Sequence, residues 1–294
     1  MRTGHAALLL VLVVVLWGVN WPMIKLGLQA MPPLWFAVAR VFIGGATIAA
    51  IMLASGRLRL PARGDVPVIL SVGVLQIGFF LATTHVALLF VEAGRSAILA
   101  YTTPLWVVPL SALLLGERIG AAQIGALVLG LAGLAVLFNP LAIDYGNADV
   151  LLGNGLLLAG AALWAITIIH VRAHHWHGTP LDLMTWQMAL GVVALVPVAL
   201  IVEPHPFVHW SWAFAAILFY NGPIASAFCF WAFVTVNRSL PAATTALGSL
   251  GVPVVGVLSA ALVVGEPLTA ATLTGLGLIG AGVAVLALNR RDEG

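Results

Sequence analysis

Charged side chains are scarce in this sequence, and the few inside apolar segments are the first candidates for chemistry. Arg40 is the only charged residue that lies clearly within such a segment. A guanidinium there either attracts a ligand carboxylate or satisfies backbone carbonyls between packed helices. We expect the structural role, because the equivalent residue in the second half of the chain is the neutral Gln187. Contact with a carboxylate is the alternative.

Imidazole groups form a second set of candidates. His85 and His170 lie inside apolar segments and could couple proton movement, because histidine titrates near neutral pH. Hydrogen bonding between neighbouring helices is the role that we expect for both. His174 and His177 have the i, i+3 spacing of a metal-binding pair, but the adjacent Trp176 is typical of a hydrated turn at a membrane surface. No metal site is therefore predicted.

The sequence lacks the motifs of catalysis and nucleotide binding. Lys25 is the only lysine, and it does not follow the glycine-rich motif of a phosphate-binding loop. We find no helical His-Glu-x-x-His zinc motif and no paired nucleophile and base. Cys229 is the only cysteine, which excludes a disulfide within the chain. The sequence predicts no cofactor, and an intramembrane enzyme is the disfavoured alternative of a different class.

Aromatic and small polar side chains recur on several apolar segments and could line a cavity. Trp17 and Asn20 are three residues apart and therefore share one helical face. The same holds for Phe80 and Thr83. The complete set of predicted cavity residues is Trp17, Asn20, Phe80, Thr83, Tyr101, Trp164 and Trp231. This lining suits an aromatic ring beside polar groups, whereas packing and membrane-interface anchoring are the ordinary roles of such residues.

The positions of the acidic residues limit the solutes that such a cavity could take. Glu92, Glu117 and Glu266 all lie at the ends of apolar segments, and no Asp or Glu lies in the middle of one. A lipophilic cation would therefore enter a low-dielectric site without a counterion. A sugar phosphate would need several buried basic residues, and Arg40 is alone. A neutral or zwitterionic solute remains.

The composition predicts that these residues are positioned by membrane-spanning helices. The chain is 62% hydrophobic and 7% charged, with a mean hydropathy of +1.12, far from the composition of soluble domains. Apolar runs of about 20 residues, the length that crosses a bilayer, occur ten times. We therefore predict an all-α polytopic membrane protein. The predicted spans are 5–26, 33–54, 66–90, 95–115, 120–138, 151–173, 181–202, 211–236, 240–264 and 269–288.

An internal repeat relates the two halves of the sequence. Pro104 and the pair Gly116-Glu117 recur as Pro253 and Gly265-Glu266, at a shift of 149 residues. Each half contains five spans, an odd number, so the second half must enter the membrane from the opposite side. We predict two inverted five-helix repeats, 1–145 and 146–294, in one membrane domain. Such repeats are typical of carriers that work by alternating access, with a central cavity at the bilayer midplane.

The motifs also resemble a known family. The segment from Leu16 to Pro22, the pair Ala39-Arg40, and the stretch from Pro104 to Arg118 are similar to those of the drug/metabolite transporter superfamily, EamA branch. The resemblance covers all ten spans and both repeats. Within that branch the chain most resembles YddG-type aromatic amino-acid exporters, on its length, loop sizes and aromatic residues. The resemblance implies a ten-helix exporter of small metabolites.

Basic residues predict the orientation of the chain. Arg2, the group Arg57, Arg59 and Arg63, and the pair Arg290-Arg291 fall on the same side as the amino terminus. Because Lys and Arg concentrate in cytoplasmic loops, both termini are predicted to be cytoplasmic, in a bacterial inner membrane. The first apolar run is long enough to remain as a span rather than to be removed as a signal peptide. Scattered basic residues make nucleic acid an improbable partner.

Glycine and proline predict where the helices pack closely and where they bend. Glycines are concentrated in spans five and ten, which we expect to pack together as a scaffold or to support a dimer face; the sequence leaves monomer and homodimer open. Proline removes a backbone hydrogen bond and permits bending within a helix. The predicted gating prolines are Pro22, Pro104, Pro223 and Pro253.

These inferences combine into one functional hypothesis. The sequence predicts a transporter that exports small neutral or zwitterionic metabolites, with aromatic amino acids as the favoured substrate. Transport is expected to be facilitative, because no buried carboxylate is available to carry a proton. The alternative is an exporter of other amino acids or neutral drugs with proton coupling through histidine. The expected partners are the substrate and the lipid bilayer.

Overall fold

The computed structural model describes residues 3–138 and 146–292, and the regular structure within them is helical. Each predicted span corresponds to a helical segment. Their observed bounds are Thr3–Gly27, Pro33–Ala54, Arg63–Ala87, Ala93–Leu115, Ala121–Phe138, Ala148–Ala173, Pro180–Val202, Trp212–Ser239, Ala242–Val263 and Ala270–Asp292. We number these spans one to ten.

Eight of these segments in the described part of the chain are long and apolar enough to cross a membrane. Spans five and ten contain shorter apolar helices, Ala121–Val136 and Ala270–Val285. The prediction of an all-helical polytopic membrane protein is therefore confirmed. The boundary between residues 145 and 146, together with Arg2, lies outside the described residues, so the exact division into repeats stays a prediction.

Four spans depart from regular α-helix, and they do so in repeat-related pairs. Spans three and eight contain π-helical segments, Ser71–Phe79 and Tyr220–Phe228, that are offset by the 149 residues of the repeat. Span four divides into Ala93–Ala100 and Pro104–Leu115. Span nine likewise divides into Ala242–Gly248 and Gly251–Val263. Because both copies carry the same interruption, the irregularities belong to the repeated unit.

The prolines fall at different places relative to these interruptions. Pro104 begins the second half-helix of span four, where its missing N–H leaves no hydrogen bond unmade. Pro253 lies in the first turn of the corresponding half-helix of span nine, and Pro223 lies in the π-helical segment of span eight. Pro22, in contrast, is inside the uninterrupted helix of span one. Three of the four predicted gating positions thus coincide with helix irregularities.

Spans five and ten pack against each other through glycines, which confirms that prediction. A Cβ atom on Gly133 would lie 2.7 Å from the carbonyl oxygen of Gly275. The repeat-related Gly282 approaches the carbonyl oxygen of Ala126 in the same way, at 2.9 Å. Small residues allow backbones in a membrane to approach this closely and to gain van der Waals contact. The two spans therefore form a tightly packed scaffold.

Glycine pairs also set the crossing of spans two and eight and of spans three and seven. A Cβ atom on Gly44 would lie 2.9 Å from the carbonyl oxygen of Gly222. At the repeat-related crossing, a Cβ atom on Gly191 would lie 3.3 Å from the carbonyl oxygen of Gly73. Each crossing joins a regular helix of one half to a π-helical segment of the other half. The two halves are therefore packed into one body rather than side by side.

We expect Gly133→Ala to destabilise the scaffold by about 1–3 kcal/mol, because the added methyl group meets rigid backbone. Gly125→Ala in the same helix is the matched control, since nothing lies within 4 Å of its Cβ position. Thermal unfolding of both variants in detergent gives the comparison. Equal midpoints for the two variants would show that this glycine contact contributes nothing.

Candidate functional site

A small cavity lies between spans one, two, three, four, six and eight. Predicted site residues border it, namely Trp17, Asn20, Arg40, Phe80, His85, Tyr101 and Trp164. The remaining lining residues are Trp21, Ile24, Leu81, Thr84 and Phe230. The volume left between these side chains is about 30 Å³, whereas sites for small molecules usually measure about 300–1,000 Å³. In the described conformation the side chains therefore leave no room for a solute, and we call this state closed in that sense.

Aromatic rings pack edge to face and fill the apolar part of this cavity. The ring centres of Trp17 and Trp164 are 5.2 Å apart, and those of Phe80 and Trp164 are 4.2 Å apart. Phe230 stacks on Trp164 at 6.2 Å. Offset and edge-to-face arrangements are the favourable ones for aromatic pairs. An aromatic ligand could replace these contacts only if the rings separate.

Two polar atoms of this aromatic group have no partner within the described residues. The indole N–H of Trp17 donates to the carbonyl oxygen of Ala225, in the π-helical segment of span eight, at 2.8 Å. The indole N–H of Trp164 and the hydroxyl of Tyr101 make no hydrogen bond to any described residue, although both side chains are buried. Buried polar groups are normally hydrogen-bonded. Trp164 and Tyr101 therefore offer unused hydrogen-bonding capacity at the cavity.

Arg40 is held by neutral side chains at the polar end of the cavity. It is only 1% exposed, and its Nε donates to Ser226 Oγ at 3.0 Å. The Asn20 amide, in the orientation that satisfies its neighbours, accepts from both terminal guanidinium nitrogens at 3.2 Å and donates to Asn221 at 2.9 Å. No carboxylate within the described residues forms an ion pair with Arg40. A buried cation therefore borders the cavity without an anionic partner.

His85 completes this cluster as a neutral side chain. Its Nδ1 lies 2.8 Å from the carbonyl oxygen of Leu81, which can only accept, so Nδ1 carries the proton. The unprotonated Nε2 then faces Arg40 Nη1 at 3.5 Å. A second proton on His85 would place two cations side by side in a fully buried site. This geometry favours a role in orienting the guanidinium over a role in proton transfer.

The helix irregularities explain how these residues meet. Arg40 lies one turn before Gly44, where span two approaches the backbone of span eight closely. That part of span eight is π-helical and carries Asn221 and Ser226, both fully buried. Sequence reasoning missed these two residues as well as Phe230. Asn221 and Ser226 could have been found from the sequence, because they are polar residues inside an otherwise apolar span.

Three predicted site residues lie away from the cavity. Thr83 donates to the carbonyl oxygen of Phe80 at 3.0 Å and packs against Gly160 of span six, while its neighbour Thr84 borders the cavity. Because the two threonines are 100° apart around a helix, the i, i+3 pairing with Phe80 selected the wrong face. Trp231 packs against Phe228, with ring centres 5.8 Å apart.

His170 lies outside the cavity as well. Its Nδ1 is 2.7 Å from Ser71 Oγ, and its ring contacts that of His174. The carboxylate of Asp65 contacts two further histidines, because it lies 3.0 Å from His174 Nε2 and 3.5 Å from His177 Nδ1. No group of three metal-ligating side chains occurs in the described ranges. The histidines here connect the start of span three to the loop after span six.

Comparison with known proteins gives the fold and the family. A solved crystal structure is similar to this protein over 99% of this chain and 99% of the other chain, with a TM-score of 0.75 and 23% sequence identity. The sequence model of the EamA-like transporter family matches residues 5–139 and again residues 151–288. The two matches correspond to the two halves of the internal repeat.

Curated relatives are similar to this chain over nearly its whole length. An uncharacterized transporter, YvbV of Bacillus subtilis, is 28% identical over 94% of this chain and 89% of its own. A probable terminal-alkyne amino-acid exporter of Streptantibioticus cattleyicolor is 29% identical over 100% and 96%. A probable amino-acid metabolite efflux pump of Escherichia coli is 28% identical over 94% and 92%. With both halves matched by its model, the chain belongs to the EamA-like transporter family, as a multi-pass membrane transporter.

Proposed function

We propose that this transporter exports amino acids and binds the substrate carboxylate at Arg40. The observation that carries the proposal is a buried guanidinium that borders a cavity and lacks a carboxylate partner among the described residues. A buried charge is costly unless it is paired. An α-carboxylate from the substrate would supply the missing charge and form two parallel hydrogen bonds with the planar guanidinium.

The neutral partners of Arg40 support a substrate with a single negative charge. Asn20, Ser226 and His85 orient the guanidinium but add no positive charge of their own. A phosphate group would bring close to two charges against one cation. The single carboxylate of a zwitterion instead pairs with the one cation, and the ammonium group of the zwitterion can lie against aromatic faces.

The opposite wall of the cavity supports a preference for aromatic amino acids. Trp17, Phe80 and Trp164 present rings that now contact one another, and a substrate ring could insert between them as the cavity widens. Tyr101 and Trp164 would supply hydrogen bonds that they do not make in the closed form. The similar Streptantibioticus protein is a probable terminal-alkyne amino-acid exporter, and the similar Escherichia protein is a probable amino-acid metabolite efflux pump.

We further propose that the protein works by alternating access and moves its substrate down the concentration gradient of that substrate. The cavity is closed in the described conformation, and repeat-related helix interruptions supply bending points in both halves. Exchange of the two halves between conformations would then expose the cavity to one side at a time. We place both termini in the cytoplasm of a bacterial cell, so that export moves substrate away from the side that carries the termini.

Arg40→Gln should abolish the preference for a substrate carboxylate. Purified wild-type protein is expected to bind tryptophan about tenfold or more tightly than tryptamine, because charge-assisted hydrogen bonds contribute about 1.5–3 kcal/mol. In the variant the two compounds should bind alike. Calorimetry on both proteins measures this difference, and unfolding midpoints show whether the variant is folded. Tryptophan preference that persists in the variant would remove Arg40 from the site.

Trp164→Leu should reduce export of phenylalanine and tryptophan by about tenfold while sparing small amino acids, because stacking partners are lost. Trp231→Leu is the matched control, since Trp231 lies on span eight away from the cavity. Efflux of labelled amino acids from proteoliposomes measures both. Equal losses for aromatic and aliphatic substrates would contradict an aromatic site while leaving amino-acid export intact.

Tryptophan efflux from proteoliposomes should proceed without an imposed pH gradient. The buried His85 faces the cation of Arg40, so it is expected to stay neutral and not to carry a proton during transport. His85→Gln should change the rate of efflux but leave it equally independent of the gradient. A strict requirement for a proton gradient in the wild-type protein, lost in this variant, would reverse the assignment of His85.

A further inference from the structure

Two repeat-related glutamates stand at opposite ends of the protein, and the function proposed above gives them no role. Glu117 follows Gly116, and Glu266 follows Gly265, at the ends of spans four and nine. Both glycines adopt a positive φ, of 66° and 80°, a backbone conformation that costs other residues energy. This turn ends each helix and directs the next residue back toward the bundle.

Each glutamate caps a half-helix that belongs to the other repeat. Glu117 accepts hydrogen bonds from the backbone N–H groups of Ala242 and Ala243, at 2.8 and 3.2 Å. Glu266 accepts from the N–H of Gly94, at 3.3 Å. Ala242 begins the first half-helix of span nine, and Gly94 lies in the first turn of the first half-helix of span four. Free N–H groups at a helix start attract a carboxylate through both hydrogen bonding and the helix dipole.

A basic residue reinforces each contact from the neighbouring span. Lys25 donates to the carbonyl oxygens of Leu88 and Val91, at the end of span three, at 2.5 and 3.3 Å. Its repeat equivalent Arg172 donates to the carbonyl oxygen of Arg238, at the end of span eight, at 3.0 Å. At each end of the bundle the glutamate therefore joins the two halves, while a basic residue joins helix ends within one half.

These contacts fix the half-helices of spans four and nine, which pack against helices that line the cavity. Span four borders the cavity through Tyr101, and span nine packs against spans one and four. Each of the two is divided into two half-helices. A half-helix can tilt away from the bundle only after its capped N-terminus is released. Both caps are formed in the described structure, and the cavity is closed.

We propose that Glu117 and Glu266 are the latches of two opposite gates, and that each transport cycle releases one latch while the other holds. The inference rests on the proposed alternating access but not on the identity of the substrate. A released Glu117 would free the first half-helix of span nine. A released Glu266 would free the first half-helix of span four on the other side of the membrane.

The two latches differ in strength. Glu117 makes two hydrogen bonds and also lies 3.6 Å from Arg172 Nε. Glu266 accepts a longer hydrogen bond from Gly94, at 3.3 Å, and it also interacts with the backbone N–H of Ala93 and, electrostatically, with Lys25. Burial raises the pKa of the Glu266 carboxyl above its ordinary value, and the neighbouring Glu92 adds to that rise. The Glu266 gate, predicted to face outward, should therefore open more readily.

Side-specific thiol labelling tests the latches. In a Cys229→Ala background, Thr84→Cys places a reporter at the cavity. Membrane-impermeant thiol reagents are then added from either side of oriented vesicles. Glu266→Gln should raise the labelling rate from one side by about tenfold, because an uncharged amide caps less strongly. Glu117→Gln should raise labelling from the opposite side by a similar factor.

Glu92→Gln is the matched control, because it removes a charge beside Glu266 but no hydrogen bond to the half-helix. This variant should label at the rate of the background protein or more slowly. Increases from the same side for both latch variants, or no increase for either, would overturn the proposal. Tryptophan binding by the same proteins is measured separately, so that a wrong substrate assignment and a wrong gate assignment give different results.

Discussion

The buried guanidinium of Arg40 is the constraint on which the arrangement of the site depends. A full positive charge inside the membrane is tolerated only where polar groups surround it, and here those groups come from three different spans. Span one supplies Asn20, span three supplies His85, and span eight supplies Ser226. Because these partners are neutral, they fix the orientation of the cation without cancelling its charge. The remaining attraction is available to an anionic group that enters the cavity.

Close backbone packing makes that arrangement possible. Arg40 reaches Ser226 because Gly44 and Gly222 bring spans two and eight into contact. The π-helical geometry of span eight leaves the carbonyl oxygen of Ala225 able to accept from the indole of Trp17. Polar and aromatic sides of the cavity are thus held by the same irregular segment. A change in that segment would therefore alter the polar side and the aromatic side of the cavity together.

Internal repetition gives the protein two copies of each of these helix contacts, and the residues around the two copies can differ. A glycine crossing and a glutamate cap each occur twice, at repeat-related positions, and under the proposed alternating access this equivalence would let the halves exchange conformations. The copies of Arg40 and His85, in contrast, are Gln187 and Val234, so the second half carries neither the guanidinium nor the imidazole at these positions. Symmetric joints around an asymmetric site are what a carrier needs if a single substrate position is to face two sides in turn.

The sequence by itself determined the number of spans, the repeat, the packing of spans five and ten, and the set of aromatic candidates, because hydropathy, spacing and small residues act locally along a helix. Most of the cavity residues followed from their types on predicted helices. Tertiary structure alone decided that Thr84 rather than Thr83 faces the cavity. It also decided that Arg40 bonds to side chains rather than to carbonyl oxygens, and that each of the two glutamates caps a half-helix of the other half. These facts depend on helix rotation and on contacts between residues far apart in the chain, such as Glu117 and Ala242. Periodicity fixes which residues share a face, but only packing fixes what that face meets.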